Sequence, residues 1–254
     1  MKTHNSMSVL SRIVVGVTLL SICAFAQAQG GTSVPVENPY GISALWAQSD
    51  GVAKAVLLIL AVMSLGSWYI IITKLIEQSK LVRQGRDASK KFWGAPSVEQ
   101  GVEALSKQSP FRFVAEAGID ATDKHPRLGQ HIGLYDWLSV GIERAIDRIQ
   151  ASLQDGLPFL AAVSSTAPFV GLFGTVWGIY HALTAIGIAG QASIDKVAGP
   201  VGEALIMTAI GLAVAVPALL GYNWLARRNK SAIEAVRSFG DDLHSALLAQ
   251  TALR

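Results

Sequence analysis

The run "VAGPVGEALIMTAIGLAVAVPALL", residues 197–220, holds one acid, Glu203, and no Lys or Arg. A charge at mid-membrane costs roughly 2.5–3.5 kcal/mol on insertion scales. No basic residue within the apolar spans of this chain is placed to pair with it. Two arrangements relieve that cost: the carboxyl group takes up a proton, or it faces water or a polar partner inside an assembly. The structural alternative is a neutral carboxylic acid hydrogen-bonded to a neighbouring backbone. Thr175 and Thr208 lie in equally apolar surroundings and could line a wet path. A membrane Thr more commonly bonds the carbonyl three or four residues back. Thr208 lies about 140° round the helix from Glu203, so spacing alone does not put them on one stripe. His181 is either a relay residue or a helix-end histidine at the interface. Ser164, Ser165 and Thr166 are expected to sit between helices.

Small residues accompany these groups. Gly171, Gly174 and Gly178 recur at steps of three and four, and Gly199, Gly202 and Gly211 follow in the later span. Such residues let membrane helices approach backbone to backbone. They fit tight contact within one subunit, and they also fit a ring of subunits around a shared interior. Pro168 and Pro217 each remove a backbone donor, which predicts kinks.

The elements that position these groups are membrane helices. The chain has 254 residues, 51% hydrophobic and 15% charged, with mean hydropathy +0.39. Soluble domains carry about 25% charged residues, so the composition indicates a membrane protein. Lys2 and Arg12, the apolar run 13–25 and Ala26-Gln27-Ala28 predict a signal peptide over 1–28. It would remove Cys23, the single cysteine, and take the net charge from +3 to +1. That weak balance argues against a nucleic-acid partner. A periplasmic segment is expected over 29–51, then transmembrane helices over 52–73, 157–189 and 197–226. A cytoplasmic helical domain is expected over 74–156, a periplasmic loop over 190–196 and a cytoplasmic helix over 227–254. Lys74, Lys80, Arg83 and Arg86 follow the first span, and Arg227, Arg228 and Lys230 follow the third. Short positive loops stay inside, so the mature N-terminus is expected in the periplasm and the C-terminus in the cytoplasm. Within the cytoplasmic domain Leu138, Ile142, Ala145, Ile146, Ile149 and Leu153 share one helical face. The fold class is all-α: three transmembrane helices, with long helices reaching into a cytoplasmic helical domain.

No enzyme signature is present. There is no GxSxG, Walker loop, HExxH or paired Cys/His spacing, so neither catalytic residues nor a cofactor or metal is expected. Three spans with one acid, no repeat and no broken-helix pair do not describe a transporter.

Over residues 160–224, "STAPFVGLFGTVWGIYHAL" followed by "VAGPVGEALIMTAIGLAVAVPALLGYN" closely resembles the ExbB/TolQ proteins. These are proton-driven motor subunits of the bacterial inner membrane, distantly similar to MotA. The order of spans matches as well. The resemblance implies a homo-oligomeric ring, a pentamer, with protons as the coupling ion. The ring surrounds helices of an ExbD-like membrane protein, each carrying one membrane Asp. A TonB-like protein carries the work to outer-membrane receptors for ferric siderophores and vitamin B12. The family's ring-subunit acid falls on Glu203, and its two pore-facing threonines on Thr175 and Thr208. The leader and N-terminal extension look more like the longer ExbB proteins. The alternative is a TolQ-like subunit of the Tol-Pal envelope system.

Overall fold

A computed structural model describes residues 50–128, 131–189 and 194–252. The expected signal peptide and most of the expected periplasmic segment lie outside the described residues. The rest is helical, with no strand among the described residues: α1 (Gly51–Lys91), α2 (Val98–Glu103), α3 (Pro110–Leu128), α4 (Leu134–Gln154), α5 (Leu157–Ala189) and α6 (Ile194–Ala252). Three of the helical stretches are long and apolar enough to cross a membrane.

Two helices run far beyond a hydrocarbon core of about 30 Å. The 41 residues of α1 and 59 residues of α6 correspond to about 61 and 88 Å at about 1.5 Å per residue. The charges at Arg227 and Arg228 mark the end of an apolar span, yet α6 passes through them unbroken. It also begins at Ile194, inside the stretch expected as the 190–196 loop. Helical assignment continues through Pro168 in α5 and through Pro200 and Pro217 in α6. Asp50 caps α1, its carboxylate accepting the Gly51 N–H at 2.7 Å. Lys90 and Lys91 stand in the last turn of α1, where cations suit the helix dipole.

The apolar residues form two cores. In the membrane half, Val56 and Leu60 of α1 pack with Leu160, Val163 and Ala167 of α5 and with Met207, Ala215, Ala218 and Leu225 of α6. In the soluble half, the six α4 residues that share a face are all buried, against α3, the tail of α1 and the second half of α6. Phe239 of α6 makes edge-on contacts with Phe92 at 5.0 Å and Phe111 at 5.4 Å, the geometry aromatic rings prefer.

Between the cores lies a polar layer. Gly156, at φ 82°, separates α4 from α5, a left-handed conformation that glycine adopts without the Cβ penalty. The interruption leaves the last carbonyls of α4 short of their i+4 donors, Ser152 keeping only the Asp155 N–H at 3.3 Å. Asn229 Nδ2 donates to the Leu153 carbonyl at 2.6 Å, and Lys74 Nζ donates to the Ser152 carbonyl at 2.8 Å. Gln78 Nε2 in turn donates to Asn229 Oδ1 at 2.5 Å and to the Leu225 carbonyl at 3.2 Å. Gln78 is fully buried and Asn229 nearly so. This layer ties α1 and α6 to the end of α4.

The α5–α6 hairpin depends on close backbone approach. A Cβ added to Gly171 would stand 2.7 Å from the Met207 carbonyl oxygen, 3.1 Å from Gly211 Cα and 3.2 Å from Thr208 Cα. A Cβ on Gly211 would stand 2.8 Å from the Ala167 carbonyl oxygen. Backbone cannot rotate away as a side chain can.

Two variants check these contacts by thermal unfolding in detergent, followed by circular dichroism. Asn229→Ala strands the Leu153 carbonyl and an amide hydrogen of Gln78, and is expected to cost about 1–3 kcal/mol. Gly171→Val forces the helices apart and is expected to cost about 1–3 kcal/mol or more. Gly187→Ala, where an added Cβ meets nothing within 4 Å, leaves the melting temperature unchanged. An unshifted melt for Gly171→Val would show that the backbone contact is dispensable.

Candidate functional site

The glycine contacts set the register of α5 against α6, and the register decides which polar groups meet. Gly178 faces Ala204, whose Cβ would be 3.0 Å from an added Cβ. Gly174 forms a notch for Met207, with Val56 of α1 closing the other side. Gly202 is half-buried. An added Cβ on Gly199 meets nothing within 4 Å, so this glycine does not serve the contact.

Thr175 and Thr208 fall directly opposite each other in this register. Their hydroxyls are hydrogen-bonded. Thr175 Oγ1 also lies 3.1 Å from the Gly171 carbonyl and 3.1 Å from the Ala204 carbonyl. A hydroxyl has one hydrogen to give. Thr175 therefore donates to one of the two carbonyls and accepts from Thr208. Thr175 is buried and Thr208 half-buried. The pair is a short hydroxyl chain that spans the interface and carries no charge.

Glu203 precedes Ala204 and is half-buried. It forms no hydrogen bond or ion pair with another described residue. The structure joins the two threonines and does not join Glu203 to either, in keeping with the 140° offset between Glu203 and Thr208. Within the single chain, nothing described answers the acid.

The hydroxyls expected between helices behave differently. Ser165 and Thr166 are exposed and Ser164 half-buried. All three donate to carbonyls one turn back, Ser164 to Ala161 at 2.8 Å and Thr166 to Ala162 at 2.7 Å. Short polar side chains in a helix satisfy themselves this way, and no contact across to α6 is needed.

A second polar cluster lies at the end of the hairpin away from the soluble core. Trp177 Nε1 donates to Asp50 Oδ2 at 3.2 Å, and His181 Nε2 stands 3.3 Å from the same oxygen. His181 is thus paired with the cap of α1. The Gly51 N–H first, and the Trp177 indole N–H next, hold the Asp50 carboxyl below the usual carboxylate range. Sequence reading passed over Asp50. Its signal was a capping residue placed just before an apolar run, although that pattern says nothing of Trp177. Among the described residues no cluster of His, Cys, Asp and Glu could hold a metal ion.

Comparison with known proteins places this site in context. The sequence pattern of the MotA/TolQ/ExbB proton channel family matches residues 110–238. The chain is 40% identical over 203 residues to the biopolymer transport protein ExbB of Xanthomonas campestris pv. campestris, covering 76% of this chain and 80% of that one. It is 37% identical over 208 residues to the ExbB of Neisseria meningitidis, covering 79% and 94%. It is 31% identical over 221 residues to the Tol-Pal system protein TolQ of Haemophilus influenzae, covering 81% and 93%. The three helices and the matched region agree, and the chain is a multi-pass membrane protein that belongs to the MotA/TolQ/ExbB proton channel family.

Proposed function

We propose that the chain is the ring-forming, ExbB-like subunit of a motor driven by the proton-motive force in the bacterial inner membrane. The reading is carried by Glu203, an acid within an apolar span that has no partner among the described residues of its own chain. In a ring, Glu203 faces the interior beside helices of an ExbD-like protein. Those helices and some water supply the polar surroundings that the single chain lacks. The Thr175–Thr208 pair provides neutral hydroxyls next to that interior. A proton crossing the membrane releases about 2.3 kcal/mol per 100 mV, plus the pH term. A TonB-like protein carries the work to outer-membrane uptake of ferric siderophores and vitamin B12. The mature N-terminus is periplasmic and the C-terminus cytoplasmic, as the basic residues after the first and third spans favour.

The ExbB-like reading is favoured over the TolQ-like one by the 37–40% identity to the two ExbB proteins compared above, against 31–34% for TolQ proteins. The TolQ-like reading keeps the same motor and changes only the process it drives.

Ferric-siderophore uptake is measured in cells whose only copy is Glu203→Gln, with assembly followed by native mass spectrometry of the membrane complex. The expected result is lost uptake with an intact ring. Normal uptake would mean that Glu203 is a packing group. If deleting the whole gene also leaves uptake untouched, the chain serves the Tol-Pal process or another motor. Thr175→Val removes the hydrogen bond donated to a carbonyl and the one accepted from Thr208, about 1 kcal/mol each, and is expected to lower uptake less than Glu203→Gln does.

A further inference from the structure

The soluble half carries a groove of about 440 Å³ that has no part in the proton path proposed above. Three helices wall it, through Glu77 and Lys80 of α1, Pro110 at the start of α3 and Arg148 of α4. Gln108, just before α3, completes the polar rim. Leu81, Ile149 and Leu153, all buried, give it an apolar floor.

The charges in the groove do not balance. Glu77 is already paired with Lys74 at 2.9 Å. Lys80 meets no carboxylate among the described residues; its ammonium donates to the neutral Gln108 Oε1 at 3.2 Å. Arg148 is exposed, and none of the ion pairs among the described residues includes it. With its oxygen engaged by Lys80, Gln108 keeps its amide hydrogens to give. Pro110 opens α3 and the first turn of that helix holds no acid, so the positive end of its dipole adds to the same wall. The groove thus offers two cations and spare donors, with an apolar surface beneath.

Its depth matches the edge of a bilayer. The apolar run of α1 ends at Thr73, and Lys80 follows about 10 Å further along the helix at about 1.5 Å per residue. The headgroup layer of a bilayer is about 5–8 Å deep, and a lysine stem lets its ammonium reach back over the remainder.

We infer that this groove holds the headgroup phosphate of an anionic phospholipid from the leaflet on the soluble-core side. Lys80 and Arg148 are its cations, the planar guanidinium suiting two phosphate oxygens at once, and the floor takes the glycerol and the first methylenes. Basic pockets just beyond membrane spans suit such headgroups. A zwitterionic lipid fits less well, because the one carboxylate in the groove is occupied by Lys74. A single phosphate there joins α1, the start of α3 and α4 on the soluble side of the break at Gly156. The inference needs only that the spans cross a bilayer, and does not rest on the motor.

The test is native mass spectrometry of the full-chain assembly in detergent, titrated with phosphatidylglycerol and, separately, phosphatidylethanolamine. Tighter binding of phosphatidylglycerol is expected. Lys80→Gln and Arg148→Gln each weaken it about fivefold, about 1 kcal/mol per cation, and the double variant weakens it roughly twentyfold. Arg86→Gln with Lys90→Gln removes the same charge from α1 outside the groove and leaves binding unchanged. Equal binding of the two lipids would overturn the site, as would full binding by the double variant or an equal loss in the control pair. Displacement of the lipid by an equal concentration of glycerol phosphate would assign the groove to a soluble anion, and displacement by a glutamate-rich peptide would assign it to a protein segment; either overturns the lipid. If the double variant does not fold, hydrogen–deuterium exchange decides, on the unsubstituted chain in nanodiscs with and without phosphatidylglycerol. Protection gained over residues 106–113 supports the site, and identical exchange overturns it.

Discussion

The backbone contact between α5 and α6 is the constraint on which the membrane half depends. In hydrocarbon there is no water to satisfy backbone groups, and apolar burial does not distinguish a neighbouring helix from lipid. Helices hold together there through close dispersion contact and a few hydrogen bonds. Gly171 and Gly211 remove the side chains that would keep the two backbones apart. With that approach made, Thr175 reaches the Ala204 carbonyl on the opposite helix, and the two hydroxyls meet. Met207 then fills the notch at Gly174 and carries the contact to α1. One steric fact thus fixes a polar pair, an apolar plug and the placing of a third helix.

The spans were legible because they follow from composition, and a hydrocarbon core accepts few charged residues at any position. The buried face of α4 was legible because its six residues keep the helical period. Glu203 was legible because an acid without a countercharge is conspicuous in an apolar run. The contact between Thr175 and Thr208 was not, because it depends on the register of two helices and not on spacing within one. The continuity of α6 agrees with the expected long helices that reach into the cytoplasmic domain. Arg227 and Arg228 report a change of solvent, whereas helical hydrogen bonds continue in either solvent. Gln78 and Asn229 sit among charged neighbours in the sequence, and nothing in their spacing marks them as interior. Only the approach of three helices makes them an interior layer.

The arrangement also separates what is rigid from what can give. Both α1 and α6 traverse the two cores without interruption. The remaining path, from α4 to α5, is broken at Gly156. On the soluble side of that break, the carbonyls of Ser152 and Leu153 are bound by Lys74 of α1 and Asn229 of α6. The end of α4 is therefore tied to the two continuous helices, and α5 joins it through Asp155 and Gly156, the latter at φ 82°. From the level of Thr208, α6 stays helical through Pro217. It passes the polar layer and reaches Phe239 in the soluble core. A displacement of α5 meets Gly156 first. The helix bearing Glu203 is in this sense a lever, and the helix bearing Thr175 is hinged against it. The hydroxyl pair lies on the surface where the two helices meet.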